Sequence, residues 1–400
     1  MFSTLTNLIE LDQLARRDAA NYPRQRVLYE TLQRQLQGKH FCGIVGPRGA
    51  GKTVLLKQLA ETRANSFYLS LDTGIEFDLF ELTKHLQETL KIDTLLVDEI
   101  HFQPGYAAEL KKIYDFLAVK VIYTSSVALA MAASAFDLSR RVRLFKLPLF
   151  SFREYIFFKT GELLPRLALD DIIQRHWEPR HLRYIYLFEP YLKGGLLPFS
   201  LDEPDPLPLL RNILEKIVRR DVPAIASLRV EELERLERML TFIGRSSVDG
   251  ISYSSISRNL GITKYKAASY LEIMSQALVL HIVFPRGANV MREPKVLMAP
   301  PYRLLFGDDE RTIGGLREDF FAAMMSAAEL PFDYLKSTRG QKTPDFLTTY
   351  GKEDIVLEIG GKGKGRSQFK GVTADRKIIL SPTGQIDDLR RPLHLLGYLY

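Results

Sequence analysis

Over the first ~150 residues, short apolar runs alternate with amphipathic stretches. This pattern predicts a parallel α/β sheet, whose strands are buried on both faces and read as continuous hydrophobic segments. The expected strands are Phe41–Val45, Ser66–Leu71, Thr94–Val97, Lys120–Thr124 and Val142–Leu147. Helical periodicity takes over from about Ser151 to Arg220, broken at Gly194, Gly195 and Pro198 and by the stretch Asp202-Glu203-Pro204-Asp205-Pro206. A second helical block runs from Val230 to about Leu280 and closes on the strand-like run Leu278–Phe284. Beyond Pro285 the pattern changes to loops, a helix near Leu316–Leu330, and strands at Asp345–Thr349, Asp354–Ile359 and Lys377–Leu380. The expected architecture is therefore α/β, with domains at 1–155, 156–225, 226–290 and 291–400.

Composition narrows the class. With 46% hydrophobic and 26% charged residues in 400, the chain is an ordinary globular protein. Its net charge of +7 permits an acidic partner such as nucleic acid without requiring one. The single cysteine, Cys42, cannot form an internal disulfide and fits a reducing compartment. The start carries acids at Glu10 and Asp12 and no basic head before an apolar core, and Val121–Phe136 is too short for a membrane span. A cytoplasmic protein without membrane association is expected.

The strongest chemical signal is Gly46-Pro47-Arg48-Gly49-Ala50-Gly51-Lys52-Thr53, a complete G-x-x-x-x-G-K-[ST] loop between an expected strand and an expected helix. Glycines let backbone N–H groups curl around a β-phosphate, and the helix N-terminus adds partial positive charge. Lys52 is expected to bridge β- and γ-phosphate oxygens, and Thr53 to give a hydroxyl to Mg²⁺. Leu95-Leu96-Val97-Asp98-Glu99 supplies the other half: Asp98 at a strand end for the metal, Glu99 to orient or deprotonate water. A strand fits between the two motifs, which marks the additional-strand class of ATP-binding P-loop proteins. In that class the next strand ends in a polar residue that senses the γ-phosphate. Ser125 takes that role here, with Thr124 as second choice and a Ser-rich helix start as the plain alternative.

The set Gly46–Thr53, Leu95–His101, Tyr123–Ser126, Ser139–Ile156 and Ile217–Pro223 resembles a family of prokaryotic AAA-type ATPases. The likeness extends over nearly the whole chain. Members pair an ATPase core and a winged helix with a C-terminal domain related to PD-(D/E)xK nucleases, and the stretch from Pro148 to Tyr155 is the most distinctive local signature. The resemblance implies ATP and Mg²⁺ as ligands, a nucleotide-dependent switch, and a trans-acting arginine at Arg141 or Arg140, whose plain alternative is a solvated basic turn.

In the middle, Ser252–Leu260, Gly261–Thr263 and Lys264–Gln276 read as helix, turn, helix, with Thr263 as N-cap and Leu278–Phe284 as a wing strand. Lys264, Tyr265, Lys266 and Ser269 suffice for phosphate contact but are thin for reading bases, and the family resemblance implies an internal packing arm in preference to a DNA reader. In the C-terminal part, Glu318, Asp345 and Glu358 are candidates for a second Mg²⁺ site. The lysine expected two positions after Glu358 is Gly360 instead, which leaves Lys362 in a Gly-Lys alternation as its substitute. His101, beside the metal-binding acids, is read as a packing or supporting residue. The leading expectation is a Mg·ATP-hydrolysing switch, with ATP-promoted self-association and an unidentified protein or nucleic-acid partner. The alternatives are an ATP-regulated DNA or RNA nuclease, and a nucleotide-gated binding module with little hydrolysis. Glu99 argues against the last and Gly360 against the nuclease.

Overall fold

The computed structural model describes residues 2–72, 77–127, 138–287, 293–308, 310–335, 343–360 and 365–400. The chain divides into two compact units. The first holds Met1–Leu149 together with Arg220–Ser227 and Gln276–Leu278; the second holds Phe150–Arg219, Leu228–Ser275 and Val279–Tyr400. This grouping differs from the four segments expected at 1–155, 156–225, 226–290 and 291–400. A boundary at 290 would cut an antiparallel hairpin, and one at 225 would cut a segment that returns to the first unit.

The first unit is built on β1 (Phe41–Val45), β2 (Ser66–Ser70), β3 (Thr94–Asp98), β4 (Lys120–Ser125) and β5 (Val142–Lys146), all parallel, in the order β2-β3-β4-β1-β5. Each expected strand is present, with ends moved by a residue at most. Alternate residues serve opposite faces, as strand geometry requires. Phe67, Leu69, Leu95, Val97, Val121 and Tyr123 pack with Leu79 and Leu86 of the Leu79–Leu90 helix and Leu110 and Ile113 of the Tyr106–Phe116 helix. Tyr68, Leu96 and Ile122 face Tyr29 and Leu32, from the Leu28–Gln35 helix, and Leu55, Leu56 and Leu59 of the Lys52–Thr62 helix. Cys42 sits on that second face, buried as expected.

In the second unit, the signature around Ser151 has a local structural cause. Ser151 Oγ accepts from Glu154 N at 3.1 Å while the Glu154 carboxylate accepts from Ser151 N at 3.4 Å, a capping box for the helix Phe152–Thr160. Phe152 and Tyr155 then pack on Tyr191, with ring centroids 5.2 and 5.4 Å away. Helices Val230–Arg245, Tyr253–Leu260 and Lys264–Gln276 are followed by the antiparallel hairpin of β6 (Leu280–Val283) and β7 (Lys295–Met298). Thr263 accepts from Lys266 N at 3.2 Å, so the expected cap forms. A second sheet is built from β8 (Asp333–Tyr334), β9 (Phe346–Tyr350), β10 (Glu353–Ile359), β11 (Arg376–Ser381) and β12 (Arg390–Pro392), in the order β12-β11-β10-β9-β8. The helix beside it spans Glu310–Ala327, starting earlier than its apolar residues indicate.

Candidate nucleotide site

The loop of Gly46–Thr53 begins where β1 is held on both sides: Gly46 N donates to Ser125 O (3.2 Å), and Leu147 N donates to Val45 O (2.8 Å). A Cβ at Gly46 would lie 2.1 Å from Leu147 O, so only glycine fits between the strands. Gly49 and Gly51 have φ of 85° and 92°, left-handed values that shape the curl and leave the first N–H groups of helix Lys52–Thr62 uncapped by any side chain. From behind, buried Arg26 donates to Ala50 O at 2.5 Å and Pro148 O at 2.9 Å, bracing the loop.

Lys52 is 4% exposed and donates to Gly46 O at 2.8 Å and Pro47 O at 3.2 Å. Burial lowers its pKa, with Glu99 and Asp98 opposing that shift. Thr53 Oγ1 donates to Asp98 Oδ2 at 2.7 Å, Tyr68 OH donates to the same oxygen at 3.2 Å, and Thr124 Oγ1 donates to Oδ1 at 2.6 Å. Burial and then Glu99 raise the Asp98 pKa. Burial, followed by the charge on Asp98, also pushes the Tyr68 phenol up. Thr124, second choice for the γ-phosphate sensor, is thus occupied in holding Asp98. Ser125 Oγ lies 3.2 Å from His101 Nδ1 and donates to Val127 O at 3.1 Å.

Glu99 has a left-handed backbone, φ 54° and ψ 54°, uncommon for a residue with a side chain. Its N–H donates to Thr124 Oγ1 (3.0 Å), and its Oε2 accepts from Ser126 N (2.9 Å) with His101 Nδ1 at 3.4 Å. Burial works against its charge, but Lys52, His101 and Arg48 prevail and hold its pKa below the ordinary value. His101 is buried and its pKa is lowered, first by that burial.

Sequence reasoning missed Asp221. It is 1% exposed, and Arg48 grips it with both ends of the guanidinium: Nε to Oδ2 at 2.8 Å and Nη2 to Oδ1 at 2.7 Å. Ser126 Oγ donates to Oδ2 at 3.3 Å. Both residues lie in segments that carry the family resemblance, Gly46–Thr53 and Ile217–Pro223, but a separation of 173 positions gives no local spacing from which their pairing could be read. Tyr68 and Arg26 went unnoticed for the same reason.

Arg140 and Arg141 stand at the start of β5, beside Phe41 of β1 and therefore at the end of the sheet away from Gly46. Arg141 is tied to Asp115 by two hydrogen bonds of 2.9 Å, while Arg140 is exposed.

The second candidate site differs from expectation. Lys295, buried at 5% exposure, places its ammonium 2.8 Å from Glu318, 3.9 Å from Asp345 and 3.1 Å from Asp249. Asp345 Oδ2 also accepts from Ile359 N at 2.7 Å, beside buried Glu358. Among the described residues no group of three or more His, Cys, Asp or Glu is placed to hold a metal ion. The acids surround an ammonium instead. Lys362 lies outside the described residues. Among the described residues, no helix is long and apolar enough to cross a membrane.

Residues 187–300 match the family model of a domain of unknown function. An uncharacterized protein of Methanocaldococcus jannaschii is 26% identical over 397 residues, covering 88% of this chain and 84% of its own. Slighter likenesses occur to the Aeropyrum pernix ORC1 protein in complex with DNA (13% identity, 74% of this chain and 92% of that one, TM-score 0.31). Others are the Thermotoga maritima RuvB Holliday junction branch migration motor (16%, 66% and 91%, 0.28) and the S. cerevisiae Hsp104-ADP complex (19%, 64% and 39%, 0.32). Residues 38–156 match the family model of an AAA domain, and the complete P-loop, the Asp98-Glu99 strand end and the β2-β3-β4-β1-β5 sheet all lie within them.

Proposed function

We propose that this protein is a Mg·ATP-hydrolysing switch whose nucleotide state governs the second unit. The observation that carries the reading is the closed network Thr53–Asp98–Thr124–Glu99 around a buried Lys52. The residues fit the ligand. The left-handed glycines of the loop leave the first N–H groups of helix Lys52–Thr62 uncapped by any side chain, Lys52 would meet the phosphates, and Thr53 and Asp98 would hold Mg²⁺. The bound metal would neutralise charge on the phosphate oxygens. Glu99 orients the attacking water and accepts its proton, at a position where Lys52 and Arg48 favour its charged form.

The three helices and hairpin of residues 230–298 are read as a winged helix that serves as a packing arm, and the C-terminal sheet as a PD-(D/E)xK-like domain that binds a partner without cutting it. The Lys295 ammonium among Glu318, Asp345 and Asp249 supports binding over cleavage, since it supplies the positive charge that a metal would bring. A cytoplasmic setting accords with the one buried thiol.

The test pairs two variants. Lys52→Ala should abolish ATP binding; Glu99→Gln should keep binding and slow turnover about 10²-fold or more. Wild-type ATP affinity in Lys52→Ala would overturn the reading.

A further inference from the structure

The arginine of the phosphate loop has a position that the loop's motif does not explain. Glu99 Oε1 lies 3.9 Å from Lys52 Nζ and 4.0 Å from Arg48 Nη2, so two cations flank one oxygen atom. Lys52 is the residue that meets β- and γ-phosphate oxygens in such loops. A γ-phosphate bound there falls within reach of the Arg48 guanidinium. That guanidinium is largely buried and gripped at both ends by Asp221, whose carboxylate has Ser126 Oγ as a further donor. Burial disfavours the charge on Arg48, but the hydrogen bonds and charge of Asp221 more than compensate.

We propose that Arg48 is a cis-acting arginine for ATP hydrolysis, restrained by Asp221 and transferred to the γ-phosphate when ATP binds. The proposal rests on the ATPase reading above. A γ-phosphate carries more negative charge than one carboxylate and also accepts a planar, two-point grip, so it competes for the same fork. Its charge grows on the bridging oxygen as the bond from that oxygen to phosphorus breaks, and a guanidinium there favours the transition state over the ground state. Transfer has a second consequence. Asp221 would be left buried with Ser126 as its remaining donor, an arrangement costly enough to drive the segment Arg220–Ser227 outward. That segment continues into the second unit at both ends, at Arg219 and at Leu228. The γ-phosphate would thus be read by the very residue that helps to remove it.

The experiment measures turnover and, separately, the ratio of ATPγS to ADP affinity in the full-length protein. Arg48→Ala should slow turnover by about 10³-fold and reduce the affinity ratio by about tenfold. Arg48→Lys, which keeps a point charge without the fork, should fall between. Asp221→Asn keeps the shape but weakens the grip, and should raise both turnover and the ratio. Mixing Arg48→Ala with Glu99→Gln should restore no activity, since each defect stays in its own site. The idea fails if Arg48→Ala leaves the ratio unchanged, if Asp221→Asn lowers both quantities as Arg48→Ala does, or if mixing restores turnover. Absence of hydrolysis in wild type, with the ratio still dependent on Arg48, would overturn the ATPase reading while leaving the γ-phosphate contact in place.

Discussion

Thr53 and Asp98 are joined by a 2.7 Å hydrogen bond, which ties the end of the phosphate loop to the end of β3. Asp98 takes three such hydroxyl bonds, from Thr53, Thr124 and Tyr68, and is 3% exposed. Burial and the neighbouring Glu99 raise its pKa all the same. For an acid shifted upward, the associated stability is fully present below the unfolded pKa of about 3.9 and is lost as pH rises through the folded value.

Asp98→Asn removes that loss, because the three hydroxyls can bond an amide as well. The variant should melt a few degrees higher than wild type at pH 7, at about 2–4 °C per kcal/mol for a unit of this size. The gap should narrow as pH falls below the raised pKa, and Mg²⁺-dependent turnover should disappear. Melting curves between pH 4 and 8 decide it. A lower melting temperature at pH 7 would show that the charge is stabilising, contrary to this account.

Lys295 gives the opposite case. Burial alone would lower its pKa, but Glu318, Asp345 and Asp249 together push it up. Glu318 itself is pushed up to about 6 by burial, with Asp345 adding to the shift and Lys295 opposing it. Lys295→Met removes the cation and leaves buried carboxylates together, a loss of about 3–5 kcal/mol. The stability that depends on protonated Glu318 is present below about 4.3 and lost as pH rises through about 6 in wild type. In Lys295→Met the decline should extend to higher pH. Denaturation at pH 5 and pH 8 is the check, and equal losses at both would refute it.

The parallel sheet was legible because its strands, buried on both faces, read as unbroken apolar runs such as Leu95–Val97. The loop was legible because its glycines and Lys52 obey a fixed local spacing. What stayed hidden was the partnership of distant residues. Arg48 with Asp221, Tyr68 with Asp98 and Lys295 with Glu318 are each brought together by folding rather than by spacing. The two compact units group the chain differently from the expected segments for the same reason: β6 and β7 pair across the boundary expected at 290.

Arg140 addresses association. Arg141 is held by Asp115, which leaves exposed Arg140 as the better placed of the two for a neighbouring copy. If ATP promotes self-association and Arg140 completes the neighbour's site, Arg140→Ala and Glu99→Gln should each be inactive alone. Their mixture should recover part of the wild-type turnover, since Glu99→Gln subunits still donate Arg140. Activity per subunit should also rise with protein concentration. No recovery together with concentration-independent turnover rules out a trans role.

The last prediction concerns nucleic acid. Lys264 and Lys266 open the helix that a DNA-reading winged helix would insert, beside Tyr265 at 85% exposure. Both ammoniums have acidic neighbours within the same unit: Lys264 lies 3.2 Å from Glu293, and Lys266 is paired with Glu232. A phosphate would have to displace those carboxylates, which erodes the gain from counterion release. Lys264→Ala combined with Lys266→Ala should therefore change affinity for duplex DNA less than about twofold in total, well below the effect expected of true phosphate-binding lysines. The Gly-Lys stretch around Lys362, Lys364 and Arg366 has the composition for loose phosphate binding. Neutralising all three should reduce the slope of log affinity against log salt by about 0.9 for each phosphate that is no longer neutralised. Cleavage should be absent with Mg²⁺ or Mn²⁺, with or without ATP, because Glu318, Asp345 and Asp249 already surround the Lys295 ammonium. Titrations at several salt concentrations, run beside a cleavage assay with Asp345→Ala and Glu358→Ala controls, test all three statements. Cutting by wild type that both controls abolish would show that the metal site is real and overturn the reading of binding without cleavage.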